Sequence, residues 1–132
     1  MARKQTHSLL VQSFLYDFTT DGGALGDINT GIGCINTGIQ LQRLSVVIGM
    51  SFFVINPVTS GGAAIIDIGN ISNSFRSQPL PVPSTPNVLP NNSGSSSVTT
   101  SLDVLMGIAA ATLTGGKFYC FIEYYTPFTD FN

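Results

Sequence analysis

The segment from Arg43 to Gly69, RLSVVIGMSFFVINPVTSGGAAIIDIG, constrains the fold of this chain more than any other part of it. From Leu44 to Ile55, apolar side chains recur at every second position, which is the period of a β-strand and not of a helix. Pro57 is expected to end this strand, because proline has no amide hydrogen to donate to a ladder. Thr59 to Gly62 then predicts a turn into a second strand, Ala63 to Ile68, so the segment indicates a hairpin.

The predicted strand from Leu44 to Ile55 has two different faces. Apolar residues occupy one face along its whole length: Leu44, Val46, Ile48, Met50, Phe52 and Val54. The other face starts with mostly small residues and turns apolar at Phe53 and Ile55. We therefore expect the first half of the strand to be buried on one face and its last residues on both.

Further β-type segments cover the rest of the chain. The two clearest are Leu9 to Phe18 and Lys117 to Thr126, the second with a predicted Gly115-Gly116 turn before it. Shorter candidates are Leu25 to Thr30, Gly38 to Gln42, Asn73 to Arg76, Val98 to Val104 and Ile108 to Leu113. No segment shows a capped helical period, although Ser101 to Ala111 is compatible with one short helix. Many short strands with Gly-rich turns predict an all-β fold, a single β-sandwich or jelly-roll-like domain over residues 1–132.

The segment from Ser77 to Thr100, SQPLPVPSTPNVLPNNSGSSSVTT, differs in kind from the strands. Its prolines, which include Pro81 and Pro83, favour an extended polyproline-like path, and its Asn-Ser-Gly part has a linker composition. A loop of this length in a small domain is usually functional or disordered. We expect an ordered Pro/Ser-rich loop or arm that lies either on its own sandwich or on a neighbouring subunit.

Charge patterning limits the possible partners. Charged residues make up only 9% of the chain, against roughly a quarter in ordinary soluble domains. A surface of this kind repels its neighbours weakly, which favours packing into an assembly. The net charge of −2 argues against nucleic-acid binding, which needs clustered Lys and Arg. The basic cluster Arg3-Lys4 lies in a predicted N-terminal arm, residues 1–8, which is either solvated or docked on a neighbouring subunit.

Hydropathy predicts neither a membrane span nor a secretion signal. The apolar run from Leu44 to Ile55 falls well short of the roughly 20 residues of a membrane-spanning helix. The apolar stretch from Leu9 to Val11 is too short for the core of a signal peptide. We therefore expect synthesis in a cytoplasm and no membrane partner.

No catalytic, metal or cofactor site is predicted. Cys34 and Cys120 are expected to be unpaired thiols, and His7, the only histidine, cannot supply a zinc ligand set. Asp17 to Gly22 approximates the start of a calcium loop, but two of its ligand positions carry the wrong residues, so we expect a turn that ends a strand. Acid–base chemistry would require the convergence of three scattered carboxylates: Asp67, Asp103 and Glu123.

Large apolar side chains exceed what one small sandwich can cover, so we expect part of them to lie between subunits. The predicted subunit interface comprises Arg3, Lys4, Phe52, Phe53, Ile55, Pro81, Pro83, Tyr119, Phe121 and Tyr125. The aromatic residues in the segment from Lys117 to Thr126 have one alternative use, as a stacking platform for sugars or bases.

Three segments resemble recurrent patterns of one protein family. They are YDFTTDGGALGDINTG (Tyr16 to Gly31), VTSGGAAIIDIG (Val58 to Gly69) and LTGGKFYCFIEYY (Leu113 to Tyr125). In this order they are similar to the opening segment, the central hairpin and the closing strand of small virion structural proteins of tailed bacteriophages. CINTGIQLQ (Cys34 to Gln42) and the long Pro/Ser-rich segment depart from the family's pattern.

The resemblance implies a β-sandwich or jelly-roll subunit of the virion, without a cofactor and commonly a homotrimer. Such a subunit binds a major capsid protein, decorates or cements the shell and catalyses no reaction. A fibre subunit, or a receptor- or glycan-binding knob, is the alternative; a knob would need exposed aromatic and amide side chains around a shallow groove. Either role places the protein in the virion, assembled in the host cytoplasm.

Overall fold

The computed structural model describes residues 2–4, 7–42, 45–71, 73–88, 96–97 and 102–126. Within them the fold is nearly all β, with one short helical turn, α1 (Phe18–Asp21). The strands are β1 (Leu9–Asp17), β2 (Ile35–Leu41), β3 (Val46–Ser60), β4 (Ile65–Asn70), β5 (Asn73–Pro79), β6 (Thr85–Val88), β7 (Ser96–Ser97), β8 (Leu102–Ala109) and β9 (Leu113–Tyr125). They form two antiparallel sheets that face each other, which confirms the predicted β-sandwich.

The order of the strands follows from one long hairpin rolled on itself. Pairing is nested about the β4–β5 turn: β4 pairs with β5, β3 with β6 and β7, β2 with β8, and β1 with β9. Rolling this ribbon brings β3 beside β9 and β4 beside β8. The result is a five-stranded sheet that contains β1-β9-β3-β6 with β7 on β3, and a four-stranded sheet β2-β8-β4-β5. This connectivity is that of a jelly roll.

The core lies between the two sheets and takes alternate residues from each strand. Its fully buried large side chains are Tyr16, Leu41, Val47, Met50, Ile66, Ile68, Phe75, Met106, Ile108, Phe118 and Ile122. The Phe118 ring is at the centre of an aromatic cluster, 5.3 Å from the Tyr16 ring and 5.6 Å from the Phe52 ring between centroids. Burial of this apolar surface is the main driving force for the fold.

A bulge in β3 changes which residues of the strand point inward. The register against β9 shifts between Val47 and Gly49, so Val47 is buried before the shift, and Met50 and Phe52 after it. The predicted face with Val46 and Ile48 inward is therefore wrong for the first half of the strand, because an extra residue inverts the alternation. We also expected the last residues of the strand to be buried on both faces. This is wrong within a single chain, since the outward-pointing side chains at the end of the strand are exposed. Leu44 lies outside the described residues.

The predicted hairpin between residues 44 and 68 is wrong, although its turn is correct. β3 continues past Pro57 to Ser60, and its ladder with β9 is irregular around the proline. The turn at Gly61 and Gly62 then carries the chain across to the opposite sheet, where β4 pairs with β5 and β8. The turn residues alone do not distinguish a hairpin from such a crossover, because both need the same reversal of direction.

The described part of the Pro/Ser-rich segment lies on its own sandwich. Val82 is buried and Leu80 packs against the core. β6 then pairs with β3 opposite Met50 and Phe52, and β7 pairs with β3 opposite Val46 and Val47. These residues therefore contact their own sandwich, and a contact of the segment with a neighbouring subunit stays a prediction. The remainder, residues 89–95 and 98–101, lies outside the described part.

The last third of the chain also differs from its prediction. The possible helix from Ser101 to Ala111 is wrong: the described residues form β8, which pairs with β2 and β4 on its two sides. Gly115 and Gly116 lie inside β9 and do not precede it. The predicted strand from Leu25 to Thr30 is a turn closed by the Asp27–Ile32 bridge.

Candidate assembly face

The outer face of the five-stranded sheet carries rows of apolar side chains. One row crosses three strands, with Tyr119 of β9 opposite Leu15 of β1 and Phe53 of β3. In the next row Phe121 lies between two serines, and the rings of Tyr119 and Phe121 stack with centroids 6.1 Å apart. We call this surface the outer face, and its exposed members are Leu9, Val11, Leu15, Phe53, Ile55 and Tyr119.

The apolar area of the outer face lies near the upper end of the range for a typical monomer. If a fully exposed large apolar side chain presents roughly 200 Å², the exposed fractions of these six residues amount to on the order of 550 Å². The largest apolar patch of a typical monomer is about 300–600 Å² and is often functional, and one partner in a standard protein interface buries about 800 Å². The outer face therefore approaches the size of an interface core.

Four of the ten predicted interface residues lie close together on this face. Phe53, Tyr119 and Phe121 are neighbours across β3 and β9, and the exposed Ile55 follows two residues after Phe53, at a second register shift between Val54 and Asn56. Tyr125 belongs to the same face at the far end of β9, in the row with Leu9 and Val46.

The other predicted interface residues lie elsewhere. Phe52 points inward and is only 2% exposed, so its assignment to an interface is wrong: its burial completes the chain's own core. Pro81 is exposed and Pro83 half-buried at the crossover from β5 to β6, off the outer face. Arg3 and Lys4 are exposed in the arm that precedes β1.

The contribution of β1 was missed in the sequence. Leu9, Val11 and Leu15 lie on the outer face because Phe14 and Tyr16 point inward and strand side chains alternate. The signal was present as odd-numbered apolar residues between Leu9 and Leu15. It was not recognised because Leu10 and Phe14 are also apolar, so that both faces of the strand look similar.

A polar turn borders one end of the outer face. Lys117 Nζ lies 3.8 Å from Asp17 Oδ2. The same Asp17 carboxylate accepts hydrogen bonds from the Thr19 amide at 3.0 Å and the Thr19 hydroxyl at 2.7 Å, and these bonds lower the pKa of Asp17. Asp21 accepts a hydrogen bond from the Asp17 amide at 2.9 Å. The predicted strand-ending turn is therefore present, with both carboxylates bound to its own backbone.

Tyr16 ties this turn to the core. Its hydroxyl donates to the Gly22 carbonyl at 2.7 Å, and the ring is buried. Burial, followed by the charges of Asp21 and Asp17, raises the pKa of Tyr16 to about 12. The phenol is therefore a neutral structural donor at physiological pH.

The scattered carboxylates do not converge. Asp67 and Asp103 are outward-facing positions of the four-stranded sheet, whereas Glu123 belongs to the outward side of β9 in the other sheet. Asp67 accepts a hydrogen bond from the Ser77 hydroxyl at 2.5 Å, and Asp103 from the Asn36 amide at 3.4 Å. This arrangement holds no carboxylate pair for acid–base chemistry across the sandwich.

The two cysteines are free thiols in different places. Cys120 is fully buried in the core and Cys34 is half-buried beside the loop that precedes β2. Burial raises the pKa of both thiols, and at Cys34 the charges of Asp27 and Asp67 act in the same direction. Neither environment favours the thiolate that reactivity requires.

The described residues offer neither a metal-binding cluster nor a membrane-spanning helix. They contain no group of three or more His, Cys, Asp or Glu side chains arranged to hold a metal ion. Within the same ranges, no helix has the length and apolarity needed to cross a membrane.

A shallow groove of about 510 Å³ lies on the opposite side of the molecule, between the loop before β2 and the four-stranded sheet. Its lining includes Asp27, Thr30, Ile32 and Asp67. None of the residues that line it is aromatic. The aromatic and amide cluster expected of a glycan-binding knob is therefore not found in this groove.

Comparison with known proteins identifies the fold. No protein-family model matches the sequence, and no curated protein matches it. Among solved structures, the chain is similar to a chain in the acid-stable capsid structure of Helicobacter pylori bacteriophage KHP30. The TM-score is 0.59 at 14% sequence identity, over 93% of this chain and 92% of that chain. At this identity the likeness shows a shared fold.

Proposed function

We propose that this chain is a structural protein of a phage virion, a decoration or cement subunit that stabilises the capsid shell. The observation that carries the proposal is the likeness of nearly the whole chain to a chain of a phage capsid structure. Because the match covers more than nine-tenths of both chains, the similar unit is the entire jelly roll and not a small motif within it. Jelly rolls are a recurrent architecture of viral capsid proteins.

The outer face supports the proposal and supplies the contact. Its area is on the order of an interface core, and the row formed by Leu15, Tyr119 and Phe53 has no charged side chain. We propose that a major capsid protein of the shell covers this face. In this role the chain links shell subunits through buried apolar surface and catalyses no reaction.

Binding to phage heads tests the proposal. Purified protein is mixed with heads that lack it, and the mixture is sedimented. We expect the parent protein to co-sediment with the heads. Phe53 is 57% exposed, so Phe53→Ala removes roughly 80 Å² of exposed apolar surface, which at about 25 cal/mol/Å² weakens binding by about 2 kcal/mol, or on the order of 30-fold.

Ile71→Ala is the matched control. Ile71 is also an exposed large apolar residue, but it lies in the turn after β4 and off the outer face. We expect this variant to bind like the parent. If both substitutions weaken binding to heads equally, the outer face is not the surface that contacts the shell. A parent protein that ignores heads and binds host cells would favour the fibre or receptor-binding role instead.

The number of chains in the isolated oligomer is tested separately from binding to heads. The homotrimer that the family resemblance implies stays a prediction, and it competes with the dimer inferred below. The mass of the isolated protein in solution tests it, and the same measurement tests the inference that follows.

A further inference from the structure

β1 forms an open edge of the five-stranded sheet. In the part of the chain that the structure describes, β1 pairs with β9 and with no other strand. The pairing runs from Leu9 to Asp17 without a register shift, and residues 9–16 include neither proline nor a charged side chain. Natural sheets usually protect an edge with such features, and a long regular apolar edge without them is a template for another strand.

One hydrogen bond shows which backbone groups point to the open edge. The Asp17 amide donates to its own chain's Asp21 carboxylate and not to β9. In an antiparallel ladder the amide and carbonyl of alternate residues point to the same side. The backbone groups of Leu9, Val11, Ser13 and Leu15 therefore point away from β9, where another strand can pair with them.

His7 continues the chain past the end of the β1–β9 ladder. Its Nδ1 lies 3.2 Å from the Thr126 carbonyl, just past the last β1–β9 pair at Leu9 and Tyr125. Arg3 and Lys4, two of the five basic residues of the chain, precede it in the sequence and are exposed. At the other end of β1, the Asp21 carboxylate lies at the open edge against the Asp17 amide, whereas the Asp17 carboxylate lies beside Lys117 of β9.

We propose that two copies of the chain pair reciprocally along β1, each laying its N-terminal arm antiparallel on the β1 edge of the other. The register that matches the charges sets Arg3 opposite the partner subunit's Asp17, next to the carboxylate of the partner's Asp21, which caps the Asp17 amide. It also sets Ser8 opposite the partner's Gln12 and places Leu10 opposite its own copy on the two-fold axis. This register combines ion pairs at both ends with matched pairs next to the two-fold axis, Ser8 with Gln12 and Leu9 with Val11.

The backbone directions agree with this register. It pairs odd-numbered residues of β1 with odd-numbered residues of the other copy, and the odd-numbered residues are those whose backbone groups point to the open edge. A register centred on Ser13 would set Leu9 against Asp17 and would carry Arg3 past the end of the partner's β1, so that the charges no longer match. Pairing about Leu10 also makes the two outer faces continuous, which doubles the apolar surface presented in one plane.

Cysteine cross-linking tests the register. In a Cys34→Ser background, with Cys120 buried in the core, Leu10→Cys places two thiols at the two-fold axis. Even-numbered positions form the non-hydrogen-bonded pairs of the new ladder, about 4.5 Å apart at Cα, which a disulfide can bridge. We expect mild oxidation to convert Leu10→Cys into a covalent dimer. Ser13→Cys is the control, because its two copies lie six residues out of register, about 20 Å apart.

The mass of the isolated protein tests the arm. We expect the parent protein to sediment as a dimer. Arg3→Glu with Lys4→Glu should raise the dissociation constant on the order of tenfold at low salt and less at high salt, where charges are screened. Gln42→Glu, an exposed change elsewhere, should leave the constant unchanged. Circular dichroism confirms that each variant retains its β-structure.

Several results would overturn the inference. They are a trimer or a monomer of the parent, a dimer indifferent to the arm charges, or cross-linking through Ser13→Cys but not Leu10→Cys. The inference does not rest on the virion role, because every measurement uses the isolated protein without heads. Dimerisation and shell binding can therefore fail independently.

Discussion

Two adjacent phenylalanines provide a direct test of the fold. Phe52 is in the core, with its ring 5.6 Å from the Phe118 ring and the Arg76 guanidinium 5.2 Å from its centroid. Phe53 is on the outer face and 57% exposed. At about 25 cal/mol/Å² and roughly 200 Å² per ring side chain, Phe52→Ala should cost about 3–5 kcal/mol of unfolding free energy. Phe53→Ala should cost at most about 2 kcal/mol, since less than half of its area is buried in the monomer.

Urea-induced unfolding followed by circular dichroism measures both free energies. High salt and low protein concentration keep association from contributing to the result. The two substitutions delete the same atoms from neighbouring residues of one strand, so that side-chain chemistry cancels in the comparison. Equal losses, or a larger loss from Phe53→Ala, would refute the assignment of inward and outward positions after the bulge in β3.

Two further predictions concern the turn between β1 and β2. The pKa of Tyr16 is raised to about 12 in the folded state, and an unfolded tyrosine titrates near 10, so stability that is complete below about pH 10 is lost as the pH rises to about 12. Tyr16→Phe should reduce this alkaline loss by about 1–2 kcal/mol in pH-dependent urea unfolding. Gly23→Ala places a Cβ 2.2 Å from the Leu113 carbonyl oxygen and should lower the melting temperature by several degrees, on the order of 2 kcal/mol or more. Gly61→Ala is the control, because its added Cβ meets no atom within 4 Å. An unchanged melting temperature for Gly23→Ala would contradict the close packing of Gly23 against Leu113.

The class of fold was predictable because strand periodicity is local. Alternation around Met50 and Phe52, and the β-branched and aromatic residues of β9, indicate strands whatever the rest of the chain does. The phase of β3 was not predictable in the same way. The bulge at Ile48 depends on how β3 meets β9, and no residue of the segment by itself requires it.

The partners of each strand were also beyond local reasoning. The turn at Gly61 and Gly62 was recognised, but whether β4 returns beside β3 or crosses to the other sheet depends on the nested pairing of the whole ribbon. The Pro/Ser-rich segment shows the same limit. Its composition suggested an arm, and only the open side of β3 allows β6 and β7 to pair there.

The candidate site was predicted in part. Phe53, Tyr119 and Phe121 were expected at an interface because the chain has more large apolar side chains than a small core can hold. Phe52 was wrongly included, and Leu9, Val11 and Leu15 were missed, because a surplus of apolar residues does not reveal which of them lie outside.

The amino-acid sequence by itself determined the secondary-structure class, the low charge and the surplus of apolar side chains, since these depend on residue type and short-range spacing. Tertiary structure alone decided which surplus residues meet on one face, and which strand is left as an open edge. The physical reason is that a strand satisfies its backbone and buries one side only through neighbours that are distant in sequence. The outer face and the β1 edge are therefore properties of the rolled ribbon and not of any segment within it.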